Sequence, residues 1–148
     1  MASANSRKSW LAALPERLDL TLGGTAVRVV HGSARGDGEY VYPSVTAHVL
    51  PAMAGEPRPQ LLVCGHSHIP FTRRIAGIRV VNCGSVGRPV DGDPRGSLAI
   101  VDLGNGSARA QLVRFAYLVA ETVRDLAARG VPGAVPDELE RGVKRKGV

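Results

Sequence analysis

At 148 residues, 44% hydrophobic and 22% charged, the chain has the length and composition of one soluble globular domain, not of a disordered segment. Its longest apolar run, residues 115–120, falls far short of the ~20 residues that span a bilayer, and residues 1–8 are polar with no apolar signal-peptide segment behind them. The net charge of +6 comes mostly from scattered arginines, aromatics are only 4%, and the two cysteines are too few for a disulfide scaffold, so a cytoplasmic, reduced protein is expected, with no membrane and no nucleic acid among its partners.

Along the chain the pattern alternates between helix and strand. Residues 9–14 (SWLAAL) read as a short helix stopped by Pro15. Residues 17–22 (RLDLTL) alternate strictly, with Leu18, Leu20 and Leu22 on one face, and Gly23-Gly24 turns the chain into a returning strand over 26–30. A glycine-rich loop follows His31. Ser44 is placed to cap a helix carrying Val45, Val49 and Met53, against which Pro51 argues, and residues 55–59 (GEPRP) read as a linker. LLVC at 61–64 is a continuous apolar run of the kind buried on both faces, and IRVVN at 78–82 reads as another strand. Residues 97–103 and 108–115 form a second hairpin around Gly104-Asn105-Gly106.

Residues 118–129 predict the longest helix, with Val119, Val123, Leu126 and Ala127 as its apolar stripe and Gly130 and Pro132 ending it. The remainder reads as a short helical turn and a tail. The chain is therefore expected to be one α/β unit over 1–148, mainly β sheet with helices on its outer face and loose ends at 1–8 and 137–148.

Chemistry collects where strands end. His31 closes the first hairpin as VVHGS, and His66 and His68 follow LLVC as CGHSHIP. Imidazole is the commonest neutral metal ligand, and residues two apart in extended chain point the same way. A His-x-His pair with a distant third histidine therefore suits zinc or another divalent ion, the alternative being surface or hydrogen-bonded core histidines. His48 has no partner in the pattern and is expected to be structural or solvated.

The segments VVHGS and LLVCGHSHIPFTRRIAGIRVVNCGSVGRPVDGDPRGSLAIVDL resemble the calcineurin-like metallophosphoesterase superfamily, in particular its small bacterial phosphodiesterases, over roughly residues 9–115. The resemblance implies a four-layer α/β/β/α sandwich, two divalent metals (Mn, Fe, Zn or Mg) held between the sheets, and hydrolysis of phosphomonoesters or phosphodiesters, with a phosphate-ester small molecule as substrate. It also implies that His31 and His66 match the two histidines of the second metal and His68 the histidine of the first, the metals clamping the phosphate and turning a bridging water into the attacking hydroxide.

The family's other motifs, D-x-H, G-D and G-N-H-D/E, supply carboxylates, an Asn and an acid histidine. Here D-x-H and N-H-D/E do not occur, and the only Gly-Asp pairs, at 36–37 and 92–93, match other parts of the pattern. Three neutral imidazoles do not offset the charge of two divalent ions. The chain is thus expected to correspond to the C-terminal half of the sandwich, through a truncated start, a mis-assigned gene start or a split gene. It would then bind at most one metal and turn over little or no phosphoester alone. It would also depend on a complementary N-terminal fragment or self-associate, because Leu18, Leu20, Leu22, Val27, Val29, Leu61 and Val63 all need a dry side. A non-catalytic metal-binding or interaction remnant is the alternative. Cys64 and Cys83 are expected as free thiols, with Cys64 as a soft fourth ligand the other option. The segment 91–95 (DGDPR) is a turn or a substrate clamp, and Arg73, Arg74 and Arg88 reach a phosphate or face water.

Overall fold

The computed structural model describes residues 4–131 and 135–144. Its elements are α1 (Ala4–Ala12), β1 (Arg17–Leu22), β2 (Thr25–Val30), α2 (Leu50–Ala54), β3 (Leu61–Cys64), β4 (Phe71–Ile75), β5 (Ile78–Asn82), β6 (Gly96–Gly104), β7 (Ser107–Phe115), α3 (Val119–Ala128) and α4 (Val135–Arg141). Strands β1 to β5 form one sheet in the order β1-β2-β3-β5-β4, and β6 pairs with β7. The three central strands run parallel and the outer pairs antiparallel. That arrangement is why LLVC and IRVVN read as nearly unbroken apolar runs: central parallel strands are covered on both faces.

Period-two alternation sorts the sheet into two cores. On one face Val30, Leu62, Cys64, Ile78 and Val80 pack with Val41 and with Leu50, Met53 and Ala54 of α2. On the other, Val27, Leu61 and Val81 meet Ala99, Val101 and Leu103 of β6 and Ala108 and Ala110 of β7. The fold is thus a mixed α/β arrangement about a central sheet, with a helix on one side and a hairpin on the other.

The first hairpin lies where the alternation placed it, but its leucines do not find the dry side expected of them. Leu18 and Leu20 pair with Val29 and Val27 and so share the face that β6 and β7 cover at the sheet centre. At the edge strand that cover has run out, and Leu18, Leu20 and Leu22 stay 44%, 41% and 46% exposed. The capped helix expected from Ser44 also begins later. Pro51 falls in the first turn of α2, where its missing N–H costs nothing, so the helix starts at Leu50 instead of being broken there. Strand β4 went unread because Arg73 and Arg74 sit exposed at its centre, and its turn into β5 is Ala76-Gly77, both at positive φ, in place of an Asn-Gly or Asp-Gly signal. In α3 the stripe is as read, with Val119, Val123 and Leu126 half-buried and Ala127 exposed. The helical turn expected near the end is α4, where Glu138 and Leu139 are buried. Residues 1–3, 132–134 and 145–148 lie outside the described residues.

One buried cation ties the sheet to α2. Arg28 is 1% exposed, donates to the Ala54 carbonyl at 2.5 Å, and meets the Asp19 carboxylate at 2.6 Å. Hydrogen bonding from Arg28, reinforced by its charge, holds the Asp19 carboxyl below its ordinary 3.8. Asp93, held by the Arg95 guanidinium and backbone N–H, is lowered to about 2. Both carboxyls therefore give up their protons more readily folded than unfolded, so their contribution is complete above pH ~5 and is lost as pH falls through their lowered folded-state values, about 2 for Asp93. Urea midpoints should accordingly be flat above pH ~5 and drop between pH ~4 and ~2, and Asp19→Asn should flatten part of that drop. Because Asp19 is half-exposed, the effect is screened by salt.

Candidate metal and phosphoester site

His31 follows β2, and His66 and His68 follow β3, so two adjacent parallel strands deliver all three rings to one end of the sheet. His31 Nε2 and His66 Nδ1 share a hydrogen bond at 3.1 Å, one ring donating to the other, with ring centroids 4.9 Å apart. Two nitrogens of one tetrahedral zinc shell, each ~2.0–2.1 Å from the ion, stand at a comparable separation. His68 is turned by a different contact: its Nδ1 lies 2.6 Å from the Arg88 carbonyl. A carbonyl only accepts, so Nδ1 carries the proton and Nε2 the lone pair, the tautomer typical of an imidazole ligand held by an outer-shell carbonyl.

The backbone here is not the extended chain that the His-x-His spacing assumed. His66 and His68 both sit at φ 57, a left-handed conformation that non-glycine residues seldom adopt outside sites that need it. Asn82, fully buried at the end of β5, sustains it. Its Nδ2 donates to the Gly65 carbonyl at 2.7 Å and to Ser67 Oγ at 2.9 Å, and its Oδ1 accepts the Gly84 N–H at 3.0 Å. The sequence marks Asn82 only as the last residue of the strand IRVVN; an amide closing an apolar strand two residues before Gly84 is the signal it offers. On the His31 side, a Cβ on Gly32 would stand 2.5 and 2.6 Å from the Asp37 and Glu39 carbonyl oxygens, so only glycine lets the loop fold back there. That loop is closed by Arg35 and Ser33 donating to the Glu39 carboxylate.

Among the described residues no three His, Cys, Asp or Glu side chains converge to hold a metal ion. The ring nitrogens brought together are those of His31 and His66, two donors where a tetrahedral divalent site takes four, and among the described residues no carboxylate joins them. Cys64 adds nothing: it lies in the α2-side core, Cys83 in the hairpin-side core, both thiols are free, and burial pushes Cys64 up to about 12. The DGDPR segment is an ion-paired turn, with Asp91 taken by Arg114 and Asp93 by Arg95. Arg73 donates to the Pro43 carbonyl and Arg74 lines a separate cavity with Arg79, whereas Arg88 lines the cavity that holds His66 and His68. His48 is exposed in a turn. No helix among the described residues is long and apolar enough to cross a membrane.

The sequence model of the calcineurin-like phosphoesterase superfamily domain matches residues 3–106. Among solved structures, the chain is similar to a metallophosphoesterase from Sphaerobacter thermophilus, with 27% identity and a TM-score of 0.78 over 96% of this chain and 63% of that one. It is also similar in fold to a hypothetical protein from Pyrococcus horikoshii OT3, with 19% identity and a TM-score of 0.81 over 96% of this chain and 56% of that one. An uncharacterized protein from Streptococcus pneumoniae shares the fold more distantly, with 21% identity and a TM-score of 0.52 over 70% of this chain and 56% of that one. The chain thus spans less than two thirds of the length of each of these structures. Among curated proteins none matches it.

Proposed function

The chain belongs to the calcineurin-like phosphoesterase superfamily, and we propose that it carries the imidazole half of a metal-dependent phosphoester-hydrolysing centre. The observation that carries this reading is the pairing of His31 Nε2 with His66 Nδ1 at 3.1 Å inside the matched region. His31 and His66 hold one divalent ion (Mn, Zn, Fe or Mg), and His68 presents its Nε2 toward the same end of the sheet. A bound divalent ion supplies charge to polarise a phosphoryl oxygen and to acidify water. The chain's own residues bind and orient: Arg88 places His68 through its carbonyl and offers its guanidinium to the cavity beside the histidines. The missing carboxylates come from a complementary segment, which also covers Leu18, Leu20 and Leu22.

Two expected results test this reading. Alone, with excess Mn2+, the 148-residue chain should hydrolyse a nitrophenyl phosphodiester at most feebly, since absence of a general acid by itself costs about 10²–10⁴-fold. Joined to the part of the Sphaerobacter thermophilus protein that it does not span, it should gain Mn2+-stimulated turnover. No gain in a folded chimera, with His31→Ala making no difference, would contradict it. The same exposed leucines lead us to expect self-association in the absence of that segment, seen as a concentration-dependent mass in sedimentation; a monomer at every concentration would count against an uncovered face.

A non-catalytic metal-binding or interaction module is the second reading, favoured by the lack of any three-residue ligand cluster among the described residues. Persistent inactivity of the folded chimera would select it.

A further inference from the structure

Beside the histidines lies a cavity of about 290 Å³ whose wall includes Tyr40 and Tyr42 and whose lining also takes in Arg88 and Lys144. Two of the three tyrosines of an aromatic-poor chain are therefore gathered at one place. They are stacked: Tyr40 lies on the His66 ring with centroids 4.2 Å apart, and Tyr42 lies on Tyr40 at 5.3 Å with the planes only 6° from parallel. Tyr40 and Tyr42 are alike in exposure, at 42% and 43%, but Tyr40 has two ring neighbours, His66 and Tyr42, whereas among the described residues Tyr42 has only Tyr40. A planar ring laid offset on an exposed tyrosine face gains stacking beyond the area it buries. Two cations line the same cavity: Arg88, which pairs with the buried Glu138 through one nitrogen at 2.6 Å and keeps its side chain 44% exposed, and Lys144, which makes no ion pair among the described residues.

We propose that this cavity selects phosphate esters whose organic group carries an aromatic ring, the ring stacking on Tyr42 and the phosphate oxygens facing Arg88 and Lys144. The proposal rests on the phosphoester reading above and narrows its substrate class. A saturated alkyl group in the same place gains no stacking, and an aromatic alcohol without phosphate gains nothing from Arg88 and Lys144. The site therefore requires both parts of the ligand.

Calorimetric or NMR titration of the chain with phenyl phosphate, methyl phosphate and phenol, in buffer containing Mn2+, tests this without requiring turnover. Phenyl phosphate should bind about tenfold more tightly than methyl phosphate, a difference of about 1.4 kcal/mol. Tyr42→Ala should bring the two esters together by weakening phenyl phosphate alone, and Tyr42→Phe should keep the preference. Equal affinities in the unmodified chain, a preference that survives Tyr42→Ala, or phenol binding as tightly as phenyl phosphate would overturn the proposal and leave the phosphoester reading standing. Failure of both esters to bind would overturn this proposal, while the phosphoester reading is decided by the chimera.

Discussion

His31→Ala should weaken divalent-metal binding by about 100-fold or more. Loss of an outer-shell partner typically costs 10–100-fold, and His31 supplies one of only two ring nitrogens already held face to face, at 3.1 Å. His66→Ala should match it, because removing either member leaves a single imidazole. His68→Ala should cost less in affinity if the ion sits on the His31–His66 pair, since His68 is held toward the Arg88 carbonyl and not toward the other two rings. Competition against a chromophoric chelator for Zn2+ reads all three. Equal affinity in His31→Ala and the unmodified chain would remove His31 from the site.

Asn82→Ala should produce the largest loss of stability among single substitutions near the site. The side chain is 0% exposed and is shared among the Gly65 carbonyl, Ser67 Oγ and the Gly84 N–H. Removing it strands several buried polar groups, each of which costs about 1–3 kcal/mol. A total near 3 kcal/mol corresponds to a fall in Tm of about 10 °C for a chain of this size. The same change releases the left-handed backbone at His66 and His68, so metal affinity should fall together with Tm. Asn82→Ala with unaltered melting would show that water or neighbouring groups satisfy those partners equally well.

Much of the framework was legible because its signals are local. Residues 17–22, 61–64 and 78–82 became strands with the boundaries that alternation and continuous apolar runs gave them. The glycine turns at 23–24 and 104–106 likewise fixed two hairpins. What the sequence concealed was set by tertiary position. The burial of Leu18, Leu20 and Leu22 depends on what lies above an edge strand, which no period-two pattern reports. Strand β4 hid behind Arg73 and Arg74, whose exposure follows from being at the other edge.

The candidate site was legible in its residues and not in its geometry. VVHGS and GHSH point to His31, His66 and His68, and adjacent parallel strands do carry them to one end of the sheet. The left-handed conformations at His66 and His68 depend on Asn82, a residue from another strand, so the assumption of extended backbone had no local reason to fail. Tyr40 and Tyr42 lie in a loop without periodicity, and their stack on His66 arises only once that loop folds back over Gly32.

X-ray absorption on the zinc-loaded chain tests the central claim most directly, because it reports the ligands and any neighbouring metal together. The account predicts imidazole nitrogens at ~2.0–2.1 Å and no second metal. A carboxylate-rich shell with a metal–metal vector near ~3.5–4 Å, or a spectrum unchanged in His31→Ala, would contradict it.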